Sequence, residues 1–255
     1  MKMNDKRTGA QALVESLAKA GTDVLFGYPG GAVLDIFNCL TDAKFPFVLG
    51  RHEQGCIHMA DGYARSTGKP GVCLVTSGPG ATNTISGLAT ANIDGVPLIL
   101  ITGQVSMSLI GTDAFQEADT TGITRAVSKH NFLVHSADEI PETIAQAFYI
   151  ATHGKPGPVV IDIPKNCQQA LTDAQYPERV SLRAYHPEAA ASTAQINKLA
   201  KMINEANPAQ GVIAMKSLET FEKVADGKAT KIIIPSEIQN IAGLVASIKE
   251  VAEEK

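Results

Sequence analysis

Four short segments bring together residue types that can do chemistry. The first is Arg51-His52-Glu53-Gln54-Gly55. A carboxyl at position 53, directly after a strand-like run, would stand at the end of a sheet and face a ligand. Taken alone, the motif has a simpler structural account: a Glu in the first turn of a helix is stabilised by the helix dipole, and Arg51 could pair with it. The second segment is Thr76-Ser77-Gly78-Pro79-Gly80-Ala81-Thr82-Asn83. Its glycines permit a tight turn and close backbone approach, and the helix that follows offers free N–H groups. It is not GxGxxG, because Asn83 stands where the third Gly would be, and no GK[ST] follows to make a P-loop. It suits a close-packed wall for a flat ring better than a phosphate cradle. The third is Pro29-Gly30-Gly31, which alone reads as an ordinary strand-to-helix turn. The fourth is Gly111-Thr112-Asp113-Ala114-Phe115-Gln116-Glu117, whose Phe-Gln pair could reach a site or decorate a surface loop.

The elements that must position these residues are legible in the hydrophobic pattern. Helical periodicity covers 9–20, 32–40, 53–66, 81–92 and 140–153, and a further helix and strand pair lies within 120–135. Between them run short apolar segments at 23–28, 45–50, 72–77, 98–103 and 159–163. These runs are continuously apolar rather than alternating, as expected of strands buried on both faces of a parallel sheet with helices as crossovers. The pattern predicts a doubly wound α/β fold: a parallel six-stranded sheet flanked by helices, occupying residues 1–165. In such sheets ligands sit at the carboxyl ends of the strands, so the loops after Tyr28, Gly50, Ser77 and Gly103 form the functional edge. From 166 to 192 prolines and small residues read as a linker. A helix is expected over 193–206, capped by Ser192 or Thr193. A short strand is expected over 231–234, and an amphipathic helix over 238–252 with Ile238, Ile241, Leu244, Val245, Ile248 and Val251 on one stripe.

Composition excludes several classes. The 255 residues are 44% hydrophobic and 19% charged, enough apolar material for a sizeable core, which excludes disordered and collagen-like chains. The net charge is −4 and no basic block stands out, so no nucleic-acid partner is expected. Cys39, Cys56, Cys73 and Cys167 form no CxxC pair and no metal-ligand spacing, and scattered thiols suit a reducing cytoplasm. The opening residues carry no apolar secretion segment, and no stretch of 18 apolar residues predicts a membrane span.

Together the four segments are stronger than any one. YPGGAVLDIF, RHEQGCIHMADGYARSTGKPGVCLVTSGPGATNTISGLATANIDGVPLILITGQV, IGTDAFQE and KPGPVVIDIPKN resemble the acetolactate synthase large, catalytic subunit over about residues 6–206. The resemblance implies a thiamine diphosphate enzyme of branched-chain amino acid synthesis whose N-terminal domain holds the aminopyrimidine. It implies that Glu53 hydrogen-bonds the pyrimidine N1′; a carboxyl in a mostly apolar pocket can share a proton with a ring nitrogen. It implies that Gly30, Gly31, Thr76, Pro79, Gly80 and Asn83 line the pyrimidine slot. Gln116 matches a glutamine near the reacting centre, and Phe115 a wall residue beside it. Lys129 and Lys165 match basic positions near the substrate entrance. Lys155 falls where the family has a flavin-contacting Arg, whose bidentate contacts a Lys cannot reproduce. The implied substrates are pyruvate and a second 2-keto acid.

The family's diphosphate end is held through a divalent metal by a GDG motif followed by paired Asn, and no GDG occurs in the 255 residues. The main Mg²⁺ and FAD sites are therefore expected to be absent. Activity would need a partner chain carrying the diphosphate-binding domain; a homodimer is the other expected assembly. Residues 193–212 read as the truncated start of the family's central domain. Residues 213–255, with LETFEKVADGKATKIIIPSEIQNIAGLVASIKEVAEE, resemble the C-terminus of stomatin/prohibitin-like (band-7) proteins, so the chain reads as a chimera. The functional alternatives are a split enzyme subunit that supplies Glu53, a non-catalytic binding or assembly module, and a truncated or rearranged product.

Overall fold

The structure is a computed structural model that describes residues 6–185, 187, 194, 197, 198 and 201. The chain divides into two units, Met1–Glu188 and Ala189–Lys255. In the second, the described residues 194, 197, 198 and 201 are helical, within the helix expected over 193–206. The strand expected over 231–234, the helix over 238–252 and the band-7-like tail lie outside the described residues.

The first unit alternates strand and helix. Its elements are β1 (Arg7–Thr8), α1 (Gly9–Lys19), β2 (Leu25–Tyr28), α2 (Leu34–Cys39), β3 (Phe47–Leu49) and α3 (Glu53–Thr67). Next come β4 (Gly71–Val75), α4 (Pro79–Thr82), α5 (Ile85–Asp94), β5 (Leu98–Gln104) and α6 (Thr120–Thr124). The unit closes with β6 (His130–Leu133), α7 (Ile140–Thr152), β7 (Pro158–Pro164), α8 (Lys165–Gln169) and β8 (Leu171–Thr172). β2 to β7 form a six-stranded sheet in the order β3-β2-β4-β5-β7-β6. Every neighbouring pair in it is parallel, as the apolar runs require.

All seven residues of β5 and all seven of β7 are buried, because successive side chains enter opposite cores. Ile99, Ile101 and Ile161 join Leu13, Leu17 and Ile144 of α1 and α7 on one face. Leu98, Leu100 and Val160 join Ile57 and Leu88 of α3 and α5 on the other. Local signals set the helix ends. Thr8 and Gln11 form a reciprocal capping box at α1, and Gly68, with φ of 73°, closes α3 in the left-handed conformation.

Three features depart from the sequence pattern. The helix expected over 81–92 starts at Pro79 and is broken into α4 and α5, with Asn83 as the cap residue of α4. The helix expected over 32–40 opens with a 3-10 turn, Gly31–Val33. The segment read as a linker from 166 begins with α8 and β8, and β8 pairs antiparallel with β1, Arg7 opposite Thr172. Beyond it Tyr176, Leu182 and Tyr185 pack against the α1/α7 core, and Tyr185 Oη donates to His153 O at 2.6 Å. No helix among the described residues is long and apolar enough to cross a membrane.

Candidate functional site

The chain leaves β2 outward to β3 and then returns across it to β4, so β2 and β4 flank a topological switch point. Loops at the carboxyl ends of such strands splay apart and leave a crevice. The loop after β2 carries Gly30 and Gly31; the loop after β4 carries Thr76 to Gly80. They are in contact: Thr76 Oγ1 accepts from Ala32 N at 3.3 Å. A Cβ on Gly30 would stand 2.5 Å from Thr76 Cβ, so only glycine lets the two loops close to this distance.

Glu53 enters the crevice from the first residue of α3. Its neighbour His52 caps the helix, Nδ1 accepting from Gln54 N at 3.1 Å, which frees the Glu53 side chain from capping. The carboxyl is buried at 9% exposure. Oε2 accepts from Asn83 Nδ2 at 3.0 Å. Oε1 accepts no hydrogen bond among the described residues and faces Gly80, whose Cβ, if it had one, would lie 3.4 Å away and 2.6 Å from Thr76 Cγ2. The break between α4 and α5 is what aims Asn83 back at Glu53. Glycine backbone, the Thr76 side chain and a Glu53 carboxyl with one oxygen unengaged thus stand side by side at this edge.

The loop after β5 reaches the same place. Gly78 has φ of 57°, and a Cβ there would stand 2.5 Å from Gln116 O, so the 111–117 loop rests directly on the Gly78 turn. Gln116 itself has φ of 58°, a left-handed conformation that costs energy for a non-glycine residue. The Glu117 carboxylate closes this loop by accepting from Gly111 N and, at 2.9 Å, from Ala114 N. These N–H groups, Gly111 first, hold its carboxyl below the usual range. Phe115 is 88% exposed at the loop tip.

The structure thus gathers Gly30, Gly31, Glu53, Thr76, Pro79, Gly80, Asn83 and the Phe115-Gln116 loop at one edge of the sheet. Lys165 joins them: it starts α8 at the carboxyl end of β7, and its Nζ donates to Gly31 O at 3.3 Å. Lys129 and Lys155 do not. Lys129 N pairs with Pro158 O at the amino end of β7, and its ammonium donates to Ile150 O and, at 2.6 Å, to His153 O at the end of α7. Lys155 Nζ donates to Ile93 O at 3.5 Å. Both stand at the opposite edge, a strand length of roughly 20 Å away.

Three polar residues of the site's frame were not singled out in the sequence. Gln168 of α8, 1% exposed, donates from Nε2 to Ala32 O at 2.8 Å and to Ile163 O at 2.9 Å, tying the Gly30-Gly31 loop to β7. Gln104 and Asp162 are buried at the carboxyl ends of β5 and β7 and bonded to each other at 2.9 Å. The one available signal was a polar residue inside an apolar run, as Asp162 is in VVIDI.

Residues 7–123 match the family model described as thiamine pyrophosphate enzyme, N-terminal TPP binding domain. The chain is 53% identical over 201 residues to the acetolactate synthase large subunit of Haemophilus influenzae, covering 78% of this chain and 35% of that protein. It is 50% identical over 203 residues to the acetolactate synthase large subunit of Corynebacterium glutamicum, covering 79% and 32% respectively. With the acetolactate synthase isozyme 3 large subunit of Escherichia coli it shares 52% identity over 194 residues, 75% of this chain and 34% of that one. The chain therefore spans about a third of the length of the curated relatives it matches.

Proposed function

We propose that the chain supplies the pyrimidine half of a thiamine diphosphate site, because residues 7–123 match the thiamine pyrophosphate enzyme N-terminal domain and most of the chain is similar to acetolactate synthase large subunits. The reaction proposed is decarboxylation of pyruvate and carboligation to a second 2-keto acid. The observation that carries this reading is the Glu53 carboxyl, held through Oε2 by Asn83 while Oε1 faces Gly80.

The residues present fit one end of the cofactor. A flat heterocycle needs a floor without side chains, and any Cβ at Gly80 would already crowd Thr76. A ring nitrogen needs a carboxyl partner, and Glu53 Oε1 is free to be one. Such a carboxyl can hold and move a proton at that oxygen while Asn83 keeps the group in place. When bound, thiamine diphosphate supplies the carbon nucleophile and the electron sink for loss of CO₂. Gly30, Gly31, Thr76 and Pro79 shape the slot, and Gln116 and Phe115 bound it on the side where substrate would stand. Lys165 marks the entrance with a positive charge suited to a keto acid carboxylate.

The other end of the cofactor carries a diphosphate and calls for a cation. No group of three or more His, Cys, Asp or Glu among them could hold a metal ion. A carboxylate- or backbone-held divalent cation is the ordinary anchor of a diphosphate. That end is assigned to residues outside the described set, which a second chain can bring. Lys129 and Lys155, at the far edge, take no part in the site of their own copy; a flavin contact by Lys155 has no support in its position.

The test mixes a polypeptide of these 255 residues with pyruvate, Mg²⁺ and thiamine diphosphate, with and without a separately expressed diphosphate-binding domain of an acetolactate synthase. No acetolactate is expected from the polypeptide alone. Activity that appears with the second domain and is lost in Glu53→Ala supports the proposal. Activity that survives Glu53→Ala would remove Glu53 from the chemistry and leave the chain as an assembly module.

A further inference from the structure

Asp162 interrupts the apolar strand β7 and is 1% exposed. Burying a carboxyl without a cation is costly, and its partners here are neutral. Oδ1 accepts from Thr102 Oγ1 at 2.7 Å, and Oδ2 accepts from Gln104 Nε2 at 2.9 Å. Gln104 is itself 2% exposed and uses its whole amide. The second N–H of Nε2 donates to Ala118 O at 2.9 Å, and Oε1 accepts from Val105 N at 2.9 Å. One amide thus holds the first residue of the loop that leaves β5, the penultimate residue of that loop, and the carboxyl of β7. Between the two held points lies the turn closed by Glu117, with Gln116 resting on Gly78. The turn is internally braced, so its position depends on how the loop around it is held: by this amide at both ends, and nearer its start by Met107 N, which donates to Asn166 Oδ1 at 2.9 Å.

We propose that Asp162 is a positioning residue: acting through Gln104, it anchors the 105–119 loop and so sets where Gln116 stands against the Gly78 turn. The use of Gln116 in catalysis rests on the function proposed above; the anchoring of the loop does not. The geometry explains why an acid occupies this position. With Val105 N and Ala118 O fixing the amide's orientation, the Nε2 side must face an acceptor on β7, and a carboxylate accepts without carrying a competing hydrogen.

The anchor is also sensitive to protons. A cavity of about 240 Å³ lies over it, lined in part by Glu117, Asp119 and Asp162. Among the described residues lining it, the charged groups beside Asp162 are these two acids; β5 presents Thr102 and Gln104 and β6 presents Leu133, all neutral. Burial first, and the charge of Asp119 in addition, push the Asp162 carboxyl up to about 7. Protonation turns a charge-assisted bond to Gln104 into a weaker neutral one.

The experiment is hydrogen exchange on the full chain from pH 6 to pH 8, corrected for intrinsic rates, comparing amides of 111–119 with those of β4 and β5. Wild-type protection of 111–119 is expected to rise with pH. Asp162→Leu is near-isosteric and offers Gln104 no acceptor; 111–119 should exchange about tenfold faster at pH 8 while β4 and β5 stay unchanged. Asp162→Asn can still accept from Gln104 and donate to Thr102 Oγ1. Its loop should behave as wild type does at pH 6, within about threefold, and lose the pH dependence. Unchanged exchange of 111–119 in Asp162→Leu, equal loosening of β4 and β5, or an intact pH profile in Asp162→Asn would each overturn the proposal. If Asp162→Leu fails to fold, the pH profile of Asp162→Asn decides alone. No cofactor enters this measurement, so its outcome is separate from that of the carboligation assay.

Discussion

Asn83 Nδ2 donates to Glu53 Oε2 at 3.0 Å, joining the cap of α4 to the first turn of α3 across the crevice. Glu53 is buried, so this bond is made away from bulk water and its loss leaves a carboxylate oxygen short of a partner. Asn83→Ala is expected to lower stability by roughly 1–3 kcal/mol. Asn83→Asp places a second acid against the first and should be more destabilising at pH 8 than Asn83→Ala. Urea midpoints at pH 8 check both variants, and an Asn83→Asp protein as stable as the parent would mean the two groups do not meet.

Gly80 should be intolerant of a methyl group for a specific reason. Gly80→Ala puts a Cβ 2.6 Å from Thr76 Cγ2, and overpacking of this kind costs about 1–3 kcal/mol. Thr76→Ser removes that Cγ2, and the next neighbour of the new Cβ is Glu53 Oε1 at 3.4 Å. The double variant should therefore regain most of the stability that Gly80→Ala loses, a non-additivity measurable by a thermal or urea double-mutant cycle. Additive losses would show that the crowding lies elsewhere.

Asp162 gives the stability curve a definite slope. Its ordinary value is 3.8 and its folded value about 7, so between those limits the folded protein keeps a proton that the unfolded chain has released. Its contribution favours the folded state below about pH 4 and is lost as pH rises through 7, by at most about 4 kcal/mol. Asp162→Asn removes the titration, so the difference in unfolding free energy between variant and wild type should grow in the variant's favour from pH 5 to pH 8. A flat difference would mean that the carboxyl does not titrate in this range.

Much of the fold was legible because burial on both faces of a parallel sheet leaves a plain record. LILITG and VVIDI are apolar without alternation, and β5 and β7 are buried along their full length. The positions of Glu53, Gly30 and Gly80 at strand ends were legible too, but by residue type alone Glu53 reads as a first-turn acid and Gly30 as part of an ordinary turn; the resemblance, not the pattern, singled them out. The break at Asn83 was not legible: Ala81 to Asn92 is helical in composition throughout, and the partner that the cap residue meets, Glu53, lies thirty positions away. Nor were α8 and β8 legible, because β8 is two residues long and exists through its pairing with β1.

The sequence by itself determined the alternation of strands and helices and the placement of the Glu53 carboxyl at the carboxyl edge of the sheet, because each follows from local pattern and from backbone geometry at strand ends. Tertiary structure alone decided which polar side chains meet. Gln104 and Gln168 carry no mark in the linear order that separates an anchor from a surface residue, and Asp162 carries only its place inside an apolar run; burial and partners drawn from distant strands make them anchors. In the same way Lys165 and Lys129, alike in charge, were sent to opposite edges, because the sheet's parallel crossovers bring one to the end of a strand and the other to its beginning.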